Sequence, residues 1–286
     1  MTEFLAVTSV SSAILIGLTV LGVYGIAALF AKGNTNHPHP HIPNWTPLEA
    51  VGITIAIYAL SQVLVTLVLL TYLAATGQSM DGAAEVLESS VWVQFGYVVL
   101  VEAYTVLVIW WFLRRRRNVW SSIGMVRPRL RDVWYAVLGF GGYFVAYVVL
   151  AQVVQVSLPQ LDLDQKQELG FSTEARGLAL LPIFVSLVIL PPLVEEILTR
   201  GVLYSGLRRR LSMVGAGIIT SILFAAAHLQ AGSGNTLLWI AALDTFVLSM
   251  MLVYLREKTG SLWPGIGLHA LKNFIAFMAL FVFHAA

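Results

Sequence analysis

Apolar runs of about 20 residues, each long enough to cross a ~30 Å hydrocarbon core as a helix rising 1.5 Å per residue, recur along almost the whole chain and constrain its fold more than any other feature. They cover residues 8 to 31, 48 to 76, 91 to 113, 133 to 157, 177 to 206, 212 to 230, 236 to 255 and 262 to 284. Inside a bilayer only helices and closed barrels satisfy every backbone group, and these runs lack the alternation over about ten residues that marks barrel strands. The expected fold is therefore all-α, a polytopic membrane helix bundle of about eight transmembrane helices. With 58% hydrophobic and 11% charged residues and a mean hydropathy of +0.81, the chain has no stretch left over for a separate soluble domain.

The absence of cysteine rules out disulfides, thiolate metal sites and a cysteine nucleophile. A formal net charge of +2 is too small to suggest nucleic-acid binding, so the placement of charges matters more than their sum. Thirteen basic residues gather in alternate loops: Lys32, Arg114 to Arg117, Arg127, Arg129, Arg131, Arg208 to Arg210, Arg256 and Lys258. The opposite loops hold Lys166 and Arg176 among Asp81, Glu85, Glu88, Asp162, Asp164, Glu168 and Glu174. The excess of Lys and Arg belongs on the cytoplasmic side, which puts both termini outside, with the plasma membrane as the default location. The first run follows Met-Thr-Glu with no basic leader, so it reads as a retained helix and not as a signal peptide. The tract His37-Pro38-His39-Pro40-His41 reads as a loop, because an extended His-Pro alternation offers no closed tetrahedron of ligands.

Ionisable groups inside a bilayer are costly and mark function or a buried pair. Six polar residues fall into three short patterns. The fifth run contains Pro191-Pro192-Leu193-Val194-Glu195-Glu196-Ile197-Leu198-Thr199-Arg200-Gly201, where the prolines interrupt the helix just before the acidic pair. Glu196 and Arg200 stand four apart with the acid first, the favourable order for an ion pair on one face. Glu195 projects about 100° away and is left as the freer carboxylate. The same triad could equally lock helix packing without any chemistry. The sixth run ends Phe224-Ala225-Ala226-Ala227-His228, whose small residues allow close helix approach and could bring the imidazole to a neighbouring carboxylate. A histidine simply hydrogen-bonded between helices is the plainer alternative. The last run carries His269-Ala270-Leu271-Lys272-Asn273. Its His269 and Asn273 share a face and can donate to a carbonyl oxygen developing negative charge, or hold two helices together. A carboxylate, a neighbouring histidine and two donors are the parts needed to activate water and stabilise a tetrahedral oxyanion in acyl hydrolysis.

EEILTR, FAAAH and HALKN resemble the EExxxR, FxxxH and HxxxN motifs of the CAAX protease and bacteriocin-processing (CPBP, or Abi) family, in the same order and on corresponding spans. The likeness runs from about residue 120 to the C-terminus and includes SSIGMVRPRLRDVW, similar to that family's basic lead-in. It implies N-terminal transmembrane helices over residues 1–118 and a catalytic membrane region over 119–286, integrated in one domain. It also implies an intramembrane endopeptidase acting on a peptide or a membrane-protein substrate. In it Glu195 and His228 match the water-activating pair, His269 and Asn273 the oxyanion donors, and Glu196 and Arg200 the supporting positions. Two departures stand out: Thr199 occupies a place where the family often has an aromatic residue, and Lys272 adds a cation that could pair with a substrate carboxylate.

A catalytic zinc would draw on His228 and His269 with Glu195, or in its place Glu196, and water as fourth ligand. A metal-free glutamate mechanism is the expectation, because Asn273 is a poor zinc ligand and no HExxH arrangement is present. The reading from another class is a proton- or ion-coupled transporter relaying through Glu102, Asp244, Glu195 and His228. No internal repeat supports it.

Overall fold

The computed structural model describes residues 43–158, 170–229 and 239–284, and every regular element among them is helical. The helices are α1 (Pro47–Thr76), α2 (Met80–Ser89), α3 (Val91–Arg115), α4 (Leu130–Ser157), α5 (Gly177–Arg208), α6 (Met213–Ala227), α7 (Trp239–Thr259) and α8 (Trp263–Val282). The span expected over 8 to 31, Lys32, the His-Pro tract and the loop charges Asp162, Asp164, Lys166 and Glu168 lie outside the described residues.

Six of these helices are long and apolar enough to cross a membrane, and α6 is a shorter apolar helix. It stops at Ala227, three residues before the expected end, with His228 as its C-cap; Gly232, Ser233, Gly234 and Asn235, all poor helix formers, follow soon after in the sequence. The sequence reading missed α2, whose polar residues read as a loop. Ser79 starts this helix by accepting from the Gly82 N–H at 3.2 Å, and Ser90 ends it and caps α3. Helix α1 opens on a reciprocal box in which Thr46 accepts from the Glu49 N–H and Glu49 accepts from the Thr46 N–H at 2.7 Å. Gly77, at φ +68°, closes it in the left-handed conformation that glycine adopts without strain.

Packing divides into clusters that frame the polar motifs. Helices α1, α3, α5 and α6 share a core around Trp45, Ile57, Ile109, Leu113, Val202 and Leu207. There the Trp45 indole donates to the Val202 carbonyl at 3.1 Å, and a Cβ on Gly206 would lie 2.4 Å from that of Ala50, so α1 can reach α5 only over a glycine. Helices α4, α7 and α8 pack through Ala136, Tyr143, Leu248, Leu252, Leu255 and Leu268. The outer face of α4 leaves Val133, Leu138, Val145 and Val156 more than half exposed. Such an apolar surface suits lipid, whose tails are as apolar as these side chains. Arg114 and Arg115 fold back over the rings of Trp110 and Trp111, 5.2 and 5.4 Å from their centroids, keeping their charges at the end of the span.

Helix α5 is irregular where the motif residues lie. It widens into a π turn over Val185–Ile189, returns to α geometry over Leu190–Glu196, and widens again over Ile197–Tyr204. The prolines therefore deform the helix without ending it. π turns inside α-helices recur at functional sites.

Candidate functional site

Glu195 and Glu196 leave α5 in different directions and enter different surroundings. Glu196 is 1% exposed and its Oε1 accepts from Arg200 Nη1 at 2.8 Å. Arg200, fully buried, also donates to Thr199 Oγ1 and to Ser249 Oγ on α7, both at 2.7 Å. The Thr199 hydroxyl in turn donates to the Glu195 carbonyl. The guanidinium rests 4.4 Å from the centroid of the Phe224 ring, a cation–π contact sheltered from solvent. On the far side Glu196 Oε2 would be 3.0 Å from a Cβ on Gly265, so the glycine lets α8 close over this carboxylate.

Glu195 instead faces a cavity of about 190 Å³, lined also by His228, His269, Lys272 and Asn273, with Leu187, Pro191, Phe224, Leu248 and Phe277 among its apolar walls. Its Oε2 lies 3.8 Å from His228 Nε2 and 4.0 Å from His269 Nε2, and accepts no hydrogen bond from the protein. Both separations exceed a direct hydrogen bond and fall within the reach of one bridging water. His228 Nδ1 bonds to the Phe224 carbonyl at 2.8 Å. A carbonyl can only accept, so this bond places the proton on Nδ1 and leaves the Nε2 lone pair facing Glu195. His269 is held between the two carboxylates, with Nδ1 3.5 Å from Glu196 Oε1. Asn273 Nδ2 donates to the Leu187 carbonyl at 2.8 Å.

Phe224 forms the partition. Its ring is 4.5 Å from that of His228 and 6.0 Å from that of His269, with Arg200 over one face. The structure thus brings Glu195, His228, His269 and Asn273 around one cavity and sets Glu196 and Arg200 behind it. Lys272 also lines the cavity, but its ammonium is 2.8 Å from Asp244, which additionally accepts from the Tyr143 hydroxyl. Asp244 is therefore engaged in a pair, and Glu102 stands half-buried on α3, within electrostatic range of Glu195.

Among the described residues no three His, Asp or Glu side chains are disposed to hold a metal ion. In the set Glu195, His228 and His269, the carboxylate-to-imidazole separations of 3.8 and 4.0 Å exceed the roughly 3.4 Å between tetrahedral ligands bound about 2.0–2.1 Å from zinc. Sequence reasoning did not find Ser249, Tyr143 or the structural use of Thr199. A lone hydroxyl in an apolar helix gives no period to read, and only the crossing of α5 with α7 selects Ser249.

Residues 177–275 match the family described as type II CAAX prenyl endopeptidase Rce1-like. The matched region contains all six motif residues and agrees with the family resemblance drawn from them. No curated protein and no solved structure matches the chain.

Proposed function

We propose that this protein is an intramembrane endopeptidase in which Glu195 is the general base. The observation that carries this reading is the Glu195 carboxylate lining a cavity inside an apolar bundle, with no Lys or Arg bound to it and its Oε2 3.8 Å from a histidine nitrogen. Similarity of residues 177–275 to CAAX prenyl endopeptidases supports it.

A water between Glu195 Oε2 and His228 Nε2 can donate one hydrogen to each. As its oxygen attacks the scissile carbonyl, one proton passes to Glu195 and the new C–O bond produces a tetrahedral oxyanion. His269, through an Nε2–H, and Asn273, through its second amide hydrogen, donate to that oxygen. Collapse breaks the C–N bond, and Glu195 returns the proton to the departing amine, so water and peptide become acid and amine. Glu196 and Arg200 support the geometry from behind and take no proton. The reading is metal-free, in keeping with the wide ligand separations and with two bases that can polarise water unaided.

Comparison of N-terminal and membrane proteomes between wild-type and Glu195→Ala cells tests the activity and identifies the substrate. A cleavage product present only in wild type is expected; identical proteomes, together with no hydrolysis of a peptide library by purified protein, would remove the reading. We further propose that the Arg-rich end of α3 faces the cytoplasm and α2 the opposite side. Single cysteines at positions 118 and 81 should label from the cytoplasmic and external sides respectively, and the reverse pattern would invert the orientation.

A further inference from the structure

We propose that the pair Pro191 and Pro192 positions Asn273: in α or in π register it withholds the backbone N–H that would otherwise occupy the Leu187 carbonyl, leaving that carbonyl to orient the Asn273 amide. The proposal rests on Asn273 acting as an oxyanion donor.

In an α-helix the Leu187 carbonyl would accept from residue 191, and in a π turn from residue 192. Both are proline and neither has an N–H. The π register is present here, since the Leu190 N–H bonds to the Val185 carbonyl five residues back. Either register leaves the Leu187 carbonyl without a helical donor. It is met from α8 instead, by Asn273 Nδ2 at 2.8 Å, across 86 residues of sequence. Leu187, Pro191 and Asn273 all line the same cavity.

The anchor decides which end of the amide the cavity meets. The terminal torsion of asparagine is broad and roughly two-fold, so an unanchored amide can turn either its oxygen or its nitrogen inward. A carbonyl accepts and never donates. Bonded to Leu187, the amide must keep Nδ2 on that side, with one hydrogen engaged and the other available to a developing oxyanion. Reversed, Oδ1 would face the Leu187 oxygen and an acceptor would replace the donor. A double proline that looks like a simple helix breaker thus sets the orientation of a donor on another helix.

Pro191→Ala returns the N–H that α register directs to the Leu187 carbonyl, and Pro192→Ala the one that π register directs there; the restored donor competes with Asn273. The expected result is a fall in kcat of about tenfold or more with KM unchanged, short of the roughly 10²–10³-fold loss from deleting an oxyanion donor. Added to Asn273→Ala, the same substitution should cause no further loss, because the group it positions is gone. Spectra of protein labelled with ¹⁵N-asparagine give a readout independent of turnover. The Asn273 side-chain amide, identified by its disappearance in Asn273→Ala, should exchange slowly in wild type and faster in Pro191→Ala. Pro192→Ala, which returns the donor five residues on, takes the same tests if Pro191→Ala does not fold. Equal losses in kcat with and without Asn273, or an amide signal unchanged by either proline substitution, would overturn the proposal. If Asn273→Ala leaves kcat unchanged, the oxyanion assignment fails and the positioning role falls with it, while the spectra still report whether proline sets the amide.

Discussion

Glu195 and Glu196 are adjacent on α5, and the clusters they enter are built on opposite terms. Behind Phe224, Glu196 meets a guanidinium also bound by Thr199 and Ser249, with both charges withdrawn from solvent. In front of it, Glu195 meets two imidazole nitrogens too far away to bond directly and keeps 24% of its side chain exposed, against 1% for Glu196, although each leaves its Oε2 without a hydrogen bond. Charges buried in low dielectric persist only when paired. A carboxylate that lines a cavity with no arginine or lysine bound to it is instead available to water or substrate. The comparison separates a side chain that holds the bundle together from one placed to react, though they are neighbours of the same residue type.

The largest effect expected from breaking this contrast is on the reactive side. Glu195→Gln should abolish hydrolysis while the unfolding temperature stays near that of wild type, measured on purified protein in detergent with a substrate found by proteomics. Retained turnover would move the base elsewhere. Glu196→Gln should act mainly on stability, since removing one partner of a buried ion pair typically costs about 3–5 kcal/mol. A denaturation midpoint close to wild type would show that Arg200 needs only its hydroxyl partners. Asn273→Ala should leave binding intact and raise the barrier by about 2.7–4 kcal/mol, as loss of other oxyanion donors does, which kcat and KM determined together would reveal.

Smaller effects sharpen the boundary of the cavity. Lys272 and Asp244 form a pair at its edge with only 24% and 18% of their side chains exposed, so removing one partner leaves a mostly buried charge uncompensated. Lys272→Met should lower stability less than Glu196→Gln, since Asp244 keeps the Tyr143 hydroxyl, and a selective rise in KM for substrates bearing a nearby carboxylate, measured on folded protein, would mark it as a recognition residue. Chelation is expected to change nothing: purified protein should retain activity and hold no stoichiometric zinc. Full loss with rescue by zinc would replace the glutamate mechanism with a metal one.

The helical class, seven of the helices found among the described residues and five of the polar residues that line the cavity were legible in the sequence, whereas Thr245, which also lines it, was not. The first three are legible because hydrocarbon demands long apolar runs with satisfied backbones and makes each ionisable residue within them conspicuous. The spacing of Glu196 and Arg200 was enough to pair them, since a helix places i and i+4 together wherever it sits. That Phe224 stands between the two clusters, that Ser249 reaches Arg200 and that Lys272 is taken up by Asp244 follows from packing alone. Those contacts arise where separate helices cross, and crossing is set by close approaches such as that of Gly265 to Glu196, which no periodicity along a single helix encodes. The double proline joins the two levels. Its missing N–H groups are written in the sequence, but that the freed Leu187 carbonyl would be met by Asn273 follows only from the packing of α8 against α5.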